Sequence, residues 1–302
     1  MLGLAREQAD FSSVHVAAFL AVAGRVSALL GLSCASRWPH CAARMFSVEL
    51  SAARNVTGHD SFNFVGFFGG GMEELLGRLE AVLFDLDGTL VDSVPDLAEA
   101  ARRMLHELGE PSRGDDEISS FVGKGIPVLV ERALAVGRSA VSADRLSDAI
   151  ASFMGHYAET NGLRTMCYPG VRETLPQLRA RGLKIGCVTN KATAFVAPLL
   201  EKLDLLSFFD CIVGGDTLAR KKPDPEPLWY ACEQLGVTRA HVLMVGDSSN
   251  DALCARRAGI PVVLMTYGYN EGVPVDTVDC DGLLSAFPEL LPLIGGRSVI
   301  VD

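Results

Sequence analysis

From Leu79 onward, apolar runs of strand length alternate with stretches of helical period. Residues 81–84, 183–188, 211–213, 241–245 and 261–265 are the strand candidates. Helical patterns at 171–181, 194–203, 225–235 and 250–258 separate most of them. This alternation predicts an α/β fold, an open parallel sheet with helices on both faces. One interval breaks the rhythm. Between 94 and 167 the sequence reads as amphipathic helices at 97–108, 126–136 and 143–160, without a convincing strand. A compact helical insertion after the first strand is the simplest account.

The first 71 residues have a different texture. They hold five arginines, no lysine and four acids, a net charge of about +1, which leaves about −11 of the chain's −10 for the remainder. Three readings stay open: a targeting segment, an accessory segment, or upstream translation before a natural start at Met72. On each of them residues 1–71 are expected to be loosely ordered and not catalytic. The remaining core is expected to comprise 72–93 and 168–302, with 94–167 as a cap.

Composition removes some function classes. The acidic balance argues against a general nucleic-acid binder. The nearest candidate for a membrane span, residues 14–32, carries Arg25 near its middle, which costs about 2.5–3.5 kcal/mol on insertion scales. The eight cysteines form no C-x-x-C pair and sit near no histidine cluster. They are expected to be free thiols in a reducing cytoplasm.

Open parallel sheets bind ligands at the carboxyl ends of their strands. After the first strand comes Asp85-Leu86-Asp87-Gly88-Thr89-Leu90. Two carboxylates just past an apolar strand are costly unless a cation or partner balances them. After the second strand comes Thr189-Asn190, a hydroxyl and an amide. After the fourth comes Gly246-Asp247-Ser248-Ser249-Asn250-Asp251, and Lys221-Lys222-Pro223-Asp224-Pro225 lies just ahead of it. Together they offer an acidic cluster for a hard cation such as Mg²⁺, a hydroxyl donor and an ammonium group. A carboxylate beside such cations can attack phosphorus, and a second can serve as acid and base.

These four pieces, in this order, resemble the signatures of the haloacid dehalogenase-like superfamily. The resemblance spans about 79–293 and implies a Rossmann-like core with an inserted helical cap. It implies Asp85 as nucleophile, Asp87 as general acid/base, and Thr189 and Lys222 as binders of the phosphoryl group. It implies Mg²⁺ held by Asp85, Asp247 and the Asp87 carbonyl, with Asp251 in support. Backbone N–H groups around Leu86, Gly88 and Asn190 would cradle the phosphate. Within the superfamily the chain looks most like bacterial phosphoglycolate phosphatases, on stretches such as 90–97, 168–171, Thr189-Asn190-Lys191, 214–217, 222–225 and Thr266-Tyr267-Gly268-Tyr269. The cap stretch Phe121-Val122-Gly123-Lys124-Gly125 resembles them too, and a cationic Lys124 would suit the carboxylate of 2-phosphoglycolate.

Hydrolysis of 2-phosphoglycolate by a cytoplasmic monomer or homodimer is therefore the leading expectation. A phosphatase for another small ester such as a sugar phosphate, and a phosphosugar mutase, would share the machinery. Dehalogenation is disfavoured because halide departure needs no Asp87. A phosphoryl-accepting receiver would lack the insertion and would be close to a common single-domain size.

Overall fold

Side-chain alternation along β1 (Ala81–Phe84) decides which helices it can hold. Val82 and Phe84 enter one apolar cluster, whereas Ala81 and Leu83 enter another on the opposite face. All four residues are buried, as a central strand with helices on both sides requires. The computed structural model describes residues 77–135 and 141–295. The expectations for residues 1–71 and for a span at 14–32 lie outside that range.

In chain order, β1 leads into a two-residue strand, β2 (Val91–Asp92). Four helices follow: α1 (Val94–Glu107), α2 (Asp115–Ser119), α3 (Ile126–Ala135) and α4 (Ala143–Thr160). β3 (Met166–Cys167) closes this passage by pairing antiparallel with β2. The chain then alternates through α5 (Val171–Ala180), β4 (Lys184–Val188), α6 (Thr193–Lys202), β5 (Cys211–Val213) and α7 (Glu226–Leu235). β6 (Val242–Gly246), α8 (Ser249–Ala258), β7 (Val262–Met265), β8 (Gly282–Leu284) and the short α9 (Leu290–Leu293) complete it.

The six-stranded sheet has the order β5-β4-β1-β6-β7-β8, and every neighbouring pair is parallel. α5 and α6 pack on the face of Val82 and Phe84. α7 and α8 pack on the face of Ala81 and Leu83. α1 to α4 gather a separate apolar cluster of their own, including Met104, Leu105, Val130, Phe153 and Tyr157. The expected α/β architecture is what the chain adopts. The interval read as wholly helical does contain a strand, β3, and β8 was not anticipated at all. Two or three residues are too few to display a period. Among the described residues no helix is long and apolar enough to cross a membrane. Cys187, Cys232 and Cys254 are buried free thiols.

Candidate active site

β1, β4 and β6 lie side by side, so the residues that follow them meet at one edge. Phe84 is in register with both Cys187 and Val245. Asp85 is thus the first residue beyond the strand, and its N–H still donates to the Val245 carbonyl at 2.9 Å. Thr189 and Asp247 directly follow the last residues of β4 and β6. The strand order reverses between β1 and β6, and that is where such sheets open a crevice.

The carboxylates of Asp85, Asp247 and Asp251 have oxygens within 4.8 Å of one another, and all three residues are buried. Lys222 Nζ sits between them, 2.8 Å from Asp85 Oδ1 and 2.7 Å from Asp251 Oδ1. Asp251 is the N3 residue of a capping box at the start of α8, and its Oδ2 accepts from the Ser248 hydroxyl at 2.7 Å. Asp247 is gripped from both sides. Thr89 Oγ1 donates to its Oδ1 at 2.7 Å, and the Tyr269 N–H donates to its Oδ2 at 2.6 Å. Glycines make the room for it. A β-carbon on Gly88 (φ +93°) would stand 2.2 Å from Asp247 Oδ2, and one on Gly268 2.3 Å from Asp247 Cβ.

Burial pushes the Asp85 carboxyl up to about 6; Lys222 holds it back, while Asp251 and Asp87 add to the rise. Burial, then the charges of Asp251 and Asp85, raise Asp247 well above the usual carboxylate range. Burial opposes the charge on Lys222, but Asp251 and Asp85 outweigh it and carry its pKa above that of an ordinary lysine. Three buried acids thus face one ammonium, and the site is short of positive charge. That donor set, all carboxylate oxygen, fits a hard divalent cation. Both oxygens of Asp251 are engaged by Lys222 and the helix cap, whereas Asp85 Oδ2 has no partner among the described residues.

Asp87 stands across the crevice, 3.0 and 3.3 Å through its two oxygens from Lys191 Nζ. Lys191 is buried, donates also to the Tyr157 hydroxyl on α4, and lies 4.8 Å above that ring. Thr189 Oγ1 accepts the Lys191 N–H at 3.1 Å, which leaves the hydroxyl proton to donate. Asn190 Nδ2 donates to the Gly123 carbonyl and to the Lys222 carbonyl, each at 2.9 Å. One cavity joins these groups: Asp85, Asp87, Thr189, Asn190 and Lys191 form its floor, and Leu97, Val122, Ile126 and Leu129 its roof.

The crevice therefore brings together Asp85, Asp87, Gly88, Thr189, Asn190, Lys222, Asp247 and Asp251. Lys124 stands apart from the expectation drawn for it. Its ammonium pairs with Glu271 at 2.9 Å and it does not line the cavity. Glu271 also pairs with Arg132, at 2.6 Å, so the Lys124 ammonium is engaged in a charge cluster outside the cavity. The residues missed are Thr89, Tyr269 and Lys191. Thr89 belongs to the first motif, and Lys191 directly follows Thr189-Asn190, so position at a strand end was the available signal.

Fold and crevice define an α/β enzyme that sets clustered carboxylates and a buried lysine beneath a helical lid. The model of the haloacid dehalogenase-like hydrolase family matches residues 82–265. The phosphoglycolate phosphatase of Nitrosospira multiformis is 47% identical over 217 residues, covering 72% of this chain and 96% of that protein. That of Pseudomonas putida is 47% identical over 226 residues, covering 74% and 83%. Among solved structures, a predicted phosphoglycolate phosphatase from Haemophilus somnus has a TM-score of 0.68 at 33% identity, covering 72% of this chain and 98% of that one. The chain belongs to the haloacid dehalogenase-like hydrolase family.

Proposed function

We propose that the chain is a Mg²⁺-dependent phosphatase that hydrolyses 2-phosphoglycolate to glycolate and phosphate through an aspartyl-phosphate on Asp85. The observation that carries this reading is Lys222 bridging Asp85 and Asp251 beside Asp247, next to a cavity that Asp85 lines. Relatives at 47% identity that bear the phosphoglycolate phosphatase name support the substrate.

Asp85 and Asp247, with the Asp87 backbone carbonyl, are the groups that would hold Mg²⁺, and Asp251 supports them by fixing Lys222. When bound, the ion supplies positive charge against the phosphate oxygens. Lys222, the Thr189 hydroxyl and the N–H groups around Gly88 and Asn190 orient the phosphoryl group. A carboxylate oxygen of Asp85 forms a bond to phosphorus as the phosphorus–ester oxygen bond breaks, and Asp87 gives its proton to the departing glycolate oxygen. Asp87 then takes a proton from water, the water oxygen bonds to phosphorus, and the Asp85 acyl phosphate is cleaved to free carboxylate and phosphate. Residues 72–93 and 168–302 act as the core and 94–167 as the cap, with 1–71 outside the catalytic work. The free buried thiols suit a cytoplasmic protein.

The test is a panel of small phosphate esters with Mg²⁺ and with EDTA. Turnover should need the metal and favour 2-phosphoglycolate. A hexose phosphate ranked far above it would overturn the substrate. Asp85→Asn should lower kcat by about 10⁴-fold or more while the chain stays folded by circular dichroism; retained turnover would refute nucleophilic attack by Asp85.

A further inference from the structure

The reading above leaves the substrate's second anionic group without a partner. Lys222, held by Asp85 and Asp251, is assigned to the phosphoryl group, and Lys124 pairs with Glu271 outside the cavity. The roof of the cavity is apolar. Among the described residues that line the cavity, Lys191 is the one that carries a positive charge.

We infer that Lys191 is the specificity-determining residue, the cation that receives the carboxylate of the substrate. This role rests on the phosphoglycolate reading. Asp87 must touch the ester oxygen to protonate it. In 2-phosphoglycolate a single carbon separates that oxygen from the carboxylate. Lys191 Nζ is 3.0 Å from Asp87 Oδ1, so an ester oxygen seated on Asp87 brings the carboxylate within reach of the same ammonium. The phosphate end and the carboxylate end then fall to two different lysines, Lys222 beside Asp85 and Lys191 beside Asp87.

Lys191 is built for that task. An ammonium has three donors. Three acceptors meet it, Asp87 Oδ1 at 3.0 Å, Asp87 Oδ2 at the longer 3.3 Å and the Tyr157 hydroxyl, and a ligand carboxylate takes over the donor spent on the longer arm of the fork. The Tyr157 ring lies 4.8 Å below the nitrogen and is wedged between Phe153 and Phe195, with ring centres 5.7 and 4.8 Å away. The side chain is therefore oriented before any ligand arrives, and binding does not have to order it. The floor residue comes from the strand end and its brace from α4, so an anionic tail can be read only where cap and core meet.

The experiment compares 2-phosphoglycolate with ethyl phosphate, the same ester without the carboxylate, on the intact chain with Mg²⁺. Lys191→Gln should lower kcat/KM for 2-phosphoglycolate by about 100-fold, chiefly through KM, and for ethyl phosphate by less than about 10-fold. Both substrates are measured on one preparation, so the ratio is independent of the fraction that folds. Lys191→Arg keeps the charge and should retain most of the preference. Equal losses on both esters in Lys191→Gln would mean that Lys191 only orients Asp87, and would overturn the inference. A wild-type enzyme without preference between the two esters would instead overturn the phosphoglycolate reading itself.

Discussion

On the proposed mechanism Asp85 attacks phosphorus as a carboxylate, and its surroundings resist ionisation. Burial lifts its pKa from 3.8 to about 6, against the pull of Lys222. In the unfolded chain the same group ionises near 3.8, so between those values the folded state binds more protons. A raised folded pKa gives stability that is complete below the unfolded value and lost as pH climbs through the folded one. Without metal, the protein should lose several degrees of melting temperature between pH 5 and pH 7.5. A divalent ion competes with the proton for the same oxygens, so Mg²⁺ should stabilise more at pH 7.5 than at pH 5. Thermal melts at both pH values, with EDTA and with Mg²⁺, check this; a shift of equal size at both would refute it. The acids of the site were legible in the sequence because charge just past an apolar strand has to be compensated. Lys191 was not, because only burial separates it from a solvated lysine, and sequence does not display burial. The Lys124 contact was not legible either, because its partner, Glu271, lies 147 positions away.

At the scale of elements, the join between the helices α1 to α4 and the chain's return to β3 turns on one side chain of α1. Asp96 is fully buried, and its two oxygens accept from the N–H groups of Gly162, Arg164 and Thr165 at 2.9, 2.9 and 3.0 Å and from the Thr165 hydroxyl at 2.5 Å. Thr160 Oγ1 adds a bond to the Asp96 carbonyl at 3.1 Å. The first turn of α1 is thereby tied to the loop that runs from α4 into β3, where the chain returns to the sheet. Removing the acceptor strands several buried donors, and an amide would turn its own N–H against them. Asp96→Ala should cost on the order of 3 kcal/mol, and Asp96→Asn nearly as much, read as a lower midpoint in urea. A loss below about 1 kcal/mol would refute the role. α4 was legible to the residue, because eighteen positions display their period clearly, whereas the start of α1 was read three residues late. The ribbon of β2 and β3 was not, since each strand is two residues and their pairing is decided by the return of a distant segment.

For the whole molecule, the proposal that 1–71 stand outside the catalytic work can be separated from the question of where the folded unit must begin. The family match starts at residue 82, inside β1. The sheet needs more than that. Leu79 is only 2% exposed within the apolar cluster beneath α5 and α6. Glu80 donates its N–H to the His241 carbonyl at 2.8 Å and accepts from the Lys184 N–H at 2.9 Å, which joins β1 to both of its neighbours. A chain beginning at Met72 keeps all of these. It should retain kcat/KM for 2-phosphoglycolate within about twofold, and its melting temperature within about 2 °C, of the full chain. A chain beginning at Val82 loses the buried leucine and two ladder bonds, and should melt about 10 °C lower. Because β1 is the central strand and Asp85 its first residue beyond the sheet, that loss should also loosen Mg²⁺ binding. If the Met72 chain lost activity as severely as the Val82 chain, residues before Met72 would belong to the catalytic unit after all.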